Sequence, residues 1–482
     1  MARKIKFEIA KFDKITPGGQ ALGELESGKK IFAWGVLPGE TAKIQLTKSK
    51  AHWCEGFAVE ILEQSPLRIA AKDPESYLST SPWQIFDFDF EQKTKQELIE
   101  ESFRQEKIQL ENQDSFFSDG KIFGYRNKVE FSFWFEKNSE EAPESSLSSD
   151  RFGVNACASP LVFKKRDSSA SSESLEGLNS ANSELETEDN LNLAFFRRGG
   201  KGKIPVSVTS LATPEINQAG QKVLAILRAR GAQARDLKTL LIRASQHGEI
   251  AAQLYVKEED FALFTDEELA KLGFKSFKII FSNPKSPASV ITKILQQQGT
   301  QNLTDRVLGV DFNYATESFF QINLPVYEQA LRDMKRFINP EKPTIDLYSG
   351  VGSIGLTIGE NNLTMVEINE AAVAEMRANI KKLGREDTAS AVLAPSEKAL
   401  EFIQPNANLI VDPPRAGMDK KVCEKILEVA PERIIYLSCN PSTQARDMAI
   451  LSQKYRIIYA RGYNFFPRTP HIENLIVLEL TK

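Results

Sequence analysis

One segment constrains the fold more than any other: Thr344-Ile345-Asp346-Leu347-Tyr348-Ser349-Gly350-Val351-Gly352-Ser353-Ile354-Gly355-Leu356. It reads as a strand, a glycine-rich turn and a helix, the opening of an open α/β sheet. Its glycines let backbone approach a ligand closely. Leu363–Val366 reads as the next strand and runs into Glu367, 21 residues after Asp346. An acid so placed hydrogen-bonds a ribose diol. Dinucleotide folds share this geometry, so the loop alone also suits a nicotinamide cofactor. Asp346 lies near the turn, where it disfavours a diphosphate and tolerates a ligand carrying an ammonium group.

Two further strands end in chemistry-bearing turns. Leu409-Ile410-Val411 runs into Asp412-Pro413-Pro414-Arg415. Two prolines make a rigid, non-helical turn, but a structural turn alone leaves the acid and the base unexplained. Ile434-Ile435-Tyr436-Leu437 runs into Ser438-Cys439-Asn440-Pro441. Cys439 therefore stands at the carboxyl end of a sheet strand, where ligands bind in such sheets. A thiol there is either a small core residue or a nucleophile. Glu473 stands where the polar loop around His471 enters a final apolar strand. A carboxylate at such a place is either solvated or poised as a base. A turn histidine is more often structural, so His471 is not assigned a role.

The chain has 482 residues, enough for two to four domains. Its net charge of -4 and pI of about 5.8 exclude a uniformly basic nucleic-acid binder, so any RNA contact comes from local patches. Four irregularly spaced cysteines argue for a reducing compartment rather than a disulfide scaffold. No apolar run is long enough to span a membrane, and the start lacks a signal peptide's apolar core. These features predict a soluble, cytoplasmic protein.

Residues 1–66 hold four strand-like pieces, Phe7–Phe12, Ile31–Trp34, Thr41–Leu46 and Phe57–Leu62, between glycine and proline turns. That spacing predicts a small barrel. Lys43, Lys48, His52 and Trp53 among them suit single-stranded nucleic acid. A helix is expected from Phe90 to Gln105, with Glu and Lys pairs marking a solvated face. A strand follows Tyr125-Arg126-Asn127-Lys128. Residues 137–190 are rich in Ser, Glu, Asn and Asp and read as a weakly ordered insert in an enlarged hairpin, with one apolar piece at Leu161-Val162-Phe163. Arg197, Arg198, Lys201 and Lys203 lie beside glycines on its return arm, as a phosphate-binding loop or a solvated turn. A helix over Ala212–Gly231 and strands at Leu237–Arg243 and Ile250–Val256 complete a central α+β unit reaching about residue 305.

Gly18-Gly19-Gln20-Ala21-Leu22-Gly23 with Leu37-Pro38-Gly39-Glu40 resembles a TRAM domain, a small RNA-binding barrel. Ser318-Phe319-Phe320-Gln321-Ile322-Asn323, the Asp346–Gly355 loop, Asp412-Pro413-Pro414-Arg415, Ser438-Cys439-Asn440-Pro441 and His471-Ile472-Glu473 together resemble the S-adenosylmethionine-dependent RNA 5-methyluridine methyltransferases. The resemblance implies an α/β fold: a class I, Rossmann-like methyltransferase domain over 306–482, a TRAM/OB-like β-barrel over 1–66 and an α+β RNA-binding domain over 67–305. It implies Cys439 as the nucleophile on uracil carbon 6 and Glu473 as the base at carbon 5. For S-adenosylmethionine it implies Gln321, Tyr348, Gly350, Ser353, Glu367, Ser396 and Asp412, with Glu367 on the ribose. Phe320 and Gln321 are expected to border the pocket of the flipped uridine.

Many TRAM-bearing relatives hold an iron–sulfur cluster on four cysteines. The corresponding places here are Lys72, Leu78, Ser81 and Ser210, none a thiolate donor, so no cluster is expected. The expected partner is RNA, ribosomal RNA first and the transfer-RNA T loop second, with no DNA or membrane partner, and the expected state is a monomer. A non-catalytic RNA-binding protein is the competing class. It needs neither Cys439 nor Glu473.

Overall fold

A computed structural model of the protein describes residues 5–135, 191–200, 202–286, 288–300, 302–360 and 362–481. The expected insert at 137–190, with Leu161-Val162-Phe163, lies outside the described residues, as does Lys201.

Strands β1 (Phe7–Ile15), β2 (Ala21–Glu24), β3 (Lys30–Trp34), β4 (Thr41–Ser49) and β5 (Trp53–Glu63) close into a barrel in the order β1-β2-β3-β5-β4. Period-2 burial builds its core: Ile31 and Ala33 on β3, Ala42 and Ile44 on β4, face inward. β2 escapes the sequence pattern because it is four residues long and contains a glycine. Gly23 is needed there, since a Cβ would stand 2.3 Å from the Lys11 carbonyl oxygen across the β1–β2 ladder.

The central sheet comprises β6 (Lys128–Phe135), β7 (Leu191–Phe196), β8 (Lys203–Pro205), β9 (Leu237–Ala244), β10 (Ile250–Val256), β11 (Ser276–Phe281) and β12 (Lys293–Gly299), ordered β12-β11-β10-β9-β6-β7-β8. Helices Pro214–Ala229 and Asp266–Leu272 pack on it. β6 and β7 pair antiparallel from Ser132↔Ala194 to Phe135↔Leu191. A two-stranded ribbon follows, β13 (Asn302–Val307) with β14 (Val310–Ala315). The expected end of the central unit, about residue 305, thus falls inside β13.

The last sheet holds β15 (Thr344–Leu347), β16 (Leu363–Glu367), β17 (Ala389–Leu393), β18 (Asn408–Val411), β19 (Arg433–Ser438), β20 (Tyr455–Tyr463) and β21 (Glu473–Leu480). Their order is β17-β16-β15-β18-β19-β21-β20. The first five run parallel, while β21 runs antiparallel to both β19 and β20. Both faces are covered, which explains the unbroken apolar runs. Ile345, Leu347, Leu409 and Tyr436 face one core; Met365, Ile410, Ile435 and Leu437 face the other. The chain order reverses between β15 and β18, the place where such sheets bind ligands.

Asp87 caps helix Phe88–Gln105 by accepting from the Asp89 and Phe90 amides at 3.1 Å. The expected solvated face is correct for Lys93 and Glu97 but not for Glu91 and Lys95, which are fully buried and paired at 2.9 Å. Glu91 also accepts from the Arg468 amide (3.0 Å) and Asn464 Nδ2 (3.1 Å), while Lys95 donates to Asn464 Oδ1 (2.7 Å). This network pins the loop leading into β21. Glu91→Gln leaves the Lys95 ammonium buried without its counter-charge. The expected loss is about 3–5 kcal/mol of stability, read by urea denaturation.

Candidate active site

The turn after β15 is built from left-handed residues. Tyr348, Gly350 and Gly352 have φ of 63°, 55° and 83°. Tyr348 pays a conformational cost there, of the kind that gathers at functional sites. A Cβ at Gly350 would meet nothing within 4 Å, so the turn presents an open cradle. Asp346 does not line that cradle. It is fully buried beneath the turn, where Oδ2 accepts from the Gly355 amide at 3.0 Å. Burial pushes its carboxyl up to about 8. Gly355 is the apolar-set glycine, and its missing side chain is what lets Asp346 reach its amide.

Glu367, at the end of β16, accepts from the Gly350 amide (2.9 Å) and the Asn369 amide (2.8 Å). A carboxylate has about four acceptor positions, so two remain for a diol. Gln321, Tyr348, Gly350, Ser353 and Asp412 share one cleft, with Phe319 at its mouth. Asp412 is only half-buried by surface, yet its carboxyl is deep enough that burial lifts it to about 7. Ser353 Oγ lies 2.8 Å from the Tyr327 hydroxyl. The Tyr348 hydroxyl reaches Ser396 and the Asp419 backbone, and burial pushes it up to about 12. On the other side of Tyr348 a cavity of about 570 Å³ opens, lined by Glu397, Pro414, Met418 and Arg446 among others.

Cys439 follows the last residue of β19. The β19–β21 ladder pairs Leu437 with Leu475 and Ser438 with Asn474. Cys439 and Glu473, the first residue of β21, stand one residue beyond that last pair on their two strands, and the charge of Glu473 acts on the thiol. Burial pushes the Cys439 thiol up to about 12, reinforced by the negative charges of Glu473 and Asp412 and opposed by Arg415. Burial and Asp412 likewise hold Glu473 well above the usual carboxyl range. The four groups are one electrostatic cluster.

Asn440 fixes this end of the strand. It caps helix Pro441–Leu451 through the Ser442 amide, and its Nδ2 donates to the Arg415 carbonyl at 2.9 Å. Pro441 opens the helix, where its missing donor costs nothing. The helix N-terminus favours a negative charge beside it, as on a thiolate. Arg415 Nη2 is 3.4 Å from His471 Nδ1. Burial, with Arg415 next, holds His471 down to about 4, so its ring is neutral.

All nine expected site residues thus gather at the carboxyl edge of the sheet or are joined to it, Glu367 through Gly350 and Ser396 through Tyr348. Arg415, singled out with Asp412 but given no role, lies at the same edge, and Tyr327 belongs to it and was missed. Tyr327 lies on an amphipathic helix, Leu324–Lys335, where it reads as core. Away from the site, Ser81 and Ser210 meet through Gln84 Nε2, at 2.7 and 3.3 Å, and Ser210 Oγ donates to Asp73 at 2.8 Å. Lys72 lies 4.7 Å over the Phe123 ring. Among the described residues no three His, Cys, Asp or Glu side chains are grouped to hold a metal, and no helix is long and apolar enough to cross a membrane.

Comparison with known proteins gives a consistent result. The sequence model of the tRNA (uracil-5-)-methyltransferase family matches residues 180–481. An uncharacterized RNA methyltransferase of Lactobacillus johnsonii is 25% identical over 489 residues, covering 98% of this chain and 97% of its own. One from Caldanaerobacter subterraneus is also 25% identical, covering 97% and 98%. One from Nanoarchaeum equitans reaches 38% over 200 residues, 40% of this chain and 43% of its own. The fold matches that of the Pyrococcus abyssi tRNA (uracil-54, C5)-methyltransferase in complex with S-adenosyl-L-homocysteine, with a TM-score of 0.70, 20% identity and coverage of 98% and 100%.

Proposed function

The chain belongs to the tRNA (uracil-5-)-methyltransferase family, and from that premise we propose that it methylates uridine carbon 5 in RNA through a covalent Cys439 adduct at carbon 6. The observation that carries this reading is the gathering of Cys439 and Glu473 at one end of the β19–β21 ladder, where Glu473 and Asp412 both act on the thiol, beside a cleft that Asp412 lines. Uracil carbon 5 is a poor nucleophile. Addition of the Cys439 sulfur to carbon 6 turns the ring into an enolate, whose carbon 5 can attack an electrophile. S-adenosylmethionine, when bound, supplies a methyl group on a positively charged sulfur. Glu473 then takes the carbon 5 proton, the carbon 6–sulfur bond breaks, and Cys439 leaves as thiolate. At rest the thiol is protonated, so it must pass its proton to water or a neighbouring carboxylate as it attacks.

The open cradle at Gly350, the two free acceptor positions of Glu367 and the carboxyl of Asp412 fit the cofactor's ribose and ammonium. Gln321, Tyr348, Ser353 and Ser396 complete the proposed set. Asp412, at about 7, is mostly protonated below that pH, and an ammonium group binds the ionised form. Binding should therefore release a proton. Affinity for S-adenosylhomocysteine is expected to weaken below pH 7, by up to about tenfold per unit. Calorimetry at pH 6 and 8, in buffers of different ionisation heat, reads both effects; Asp412→Asn should abolish the pH dependence.

For the RNA, ribosomal RNA is the first candidate because the barrel resembles a TRAM domain, while its basic and aromatic residues, such as Lys48 over the Trp53 ring at 4.5 Å, suit RNA of either class. Transfer RNA is supported by the likeness to the P. abyssi enzyme, which spans the barrel too. Mapping 5-methyluridine in both RNA classes from a deletion strain decides between them. Activity itself is tested with 5-fluorouridine RNA and labelled cofactor: fluorine cannot leave as a proton, so the adduct persists. No adduct with either RNA class would sink the enzymatic reading and favour a binding protein.

A further inference from the structure

Arg243, on β9 of the central sheet, is fully buried. Among the described residues no carboxylate forms an ion pair with it, although the charges of Asp305, Glu375 and Glu317 act on it from further off, and its Nε has no hydrogen-bond partner. Its fork instead spans two main-chain carbonyls of another sheet's approach: Nη1 donates to Ser318 (2.6 Å) and Nη2 to Phe320 (2.7 Å). The guanidinium lies 4.4 Å over the Tyr314 ring, which is itself stacked on Phe320 at 4.4 Å. The register sets Lys128 directly opposite Arg243, and Lys128 Nζ donates to the Glu317 (2.9 Å) and Ser318 (3.2 Å) carbonyls. Burying a cation with no carboxylate in ion-pair contact is costly, and like charges directly opposed in a sheet are destabilising. Both costs fall on one short stretch, Glu317–Phe320.

That stretch carries Phe319, 74% exposed at the cleft mouth, and leads into Gln321, which is 8% exposed and lines the cleft beside Asp412. Carbonyls are held on both sides of Phe319. On the far side of the loop, Ser318 Oγ donates to Glu375. Glu375 lies on helix Glu370–Lys382, which begins three residues after Glu367. The loop is thus clamped between the central domain and the helix that follows the proposed ribose ligand.

We propose that Arg243 is a positioning residue: from the central domain it sets the Ser318–Gln321 loop, and so the direction of Gln321, for binding the methyl donor. The proposal rests on the reading of the cleft as the cofactor site. The planar fork holds the two carbonyls that flank Phe319 in one fixed geometry, whereas a lysine there is a single point donor without that geometry.

Arg243→Lys and Arg243→Gln test this. The readouts are S-adenosylhomocysteine affinity by calorimetry, kcat, KM for RNA and the melting temperature. For Arg243→Lys we expect affinity and kcat to fall about tenfold to a hundredfold, the scale of a misplaced binding group, with KM for RNA within about twofold. Arg243→Gln should lose more; if it fails to fold, the lysine variant alone carries the test. Unchanged affinity and kcat in folded Arg243→Lys overturn the proposal. So does a loss confined to KM for RNA, which marks a plain RNA contact, or a loss that disappears on cooling along with partial unfolding. If the unaltered protein methylates no RNA, the activity reading fails, while the affinity measurement still judges the clamp.

Discussion

Cys439→Ala is expected to abolish methyl transfer and the covalent 5-fluorouridine RNA adduct together. The alanine leaves the cleft intact, so S-adenosylhomocysteine should bind as before. In the proposed mechanism every later step depends on the ring being made electron-rich by sulfur at carbon 6, and among the described residues no other thiol is available: Cys54 is buried in the barrel and Cys423 is buried on helix Lys420–Val429. Loss of a nucleophile costs about 10⁴-fold or more where chemistry depends on it. Methylated RNA is counted by labelled methyl incorporation, and the adduct by its shift on a denaturing gel. Residual methylation within about tenfold of the unaltered protein would remove Cys439 from the reaction.

Glu473→Gln should behave differently, and the contrast is the test. Glutamine keeps the shape of the side chain but cannot take a proton. Attack by Cys439 and methylation at carbon 5 do not need that proton, so adduct should form on ordinary RNA. Elimination does need it, so the adduct should persist. Turnover is expected to fall about 10²–10⁴-fold, the usual contribution of a general base. A methylated RNA–protein complex, stable to denaturant and built from unfluorinated RNA, is the signature. Equal loss of adduct and turnover would instead place Glu473 in attack or binding. The substitution also removes a carboxyl that burial and Asp412 hold well above its ordinary range, so the folded variant should be no less stable near pH 7. The sign follows from linkage. A carboxyl raised in the folded state binds more protons there than in the unfolded chain. It therefore opposes folding increasingly as pH climbs from the unfolded carboxyl value, and glutamine removes that opposition.

What was legible in the sequence follows from how each residue is placed. Glu367 and Asp412 directly follow a short apolar run and Cys439 follows one after a single serine, so the end of a buried strand could be read from letters alone. Glu473 precedes such a run, and only the antiparallel direction of β21 brings it to the same edge. Direction leaves little trace in composition. Glu91 and Lys95 looked solvated because i,i+4 spacing cannot say which helix face is covered; Asn464 and Arg468, far away in the chain, cover it. Asp346 was expected near the ligand, but its partner is a backbone amide. Arg243 was unreadable for the same reason, since main-chain carbonyls have no letter. The four-residue strand β2 was hidden by its glycine.

Trp83 shows how the barrel is attached. It is buried, it donates to the Gly19 carbonyl at 3.0 Å, and it belongs to one continuous core running from Phe12 and Ile31 of the barrel to Ile345 and Tyr436 of the last sheet. A pendant module on a tether could swing to meet strands of many shapes. This one cannot pivot without tearing open shared oil. The molecule is a caliper with its jaws welded: on the proposed reading of the barrel as an RNA-binding module, a nucleic acid must present its grip and its reacting base at one fixed separation, so three-dimensional outline, more than the order of bases, would select the target.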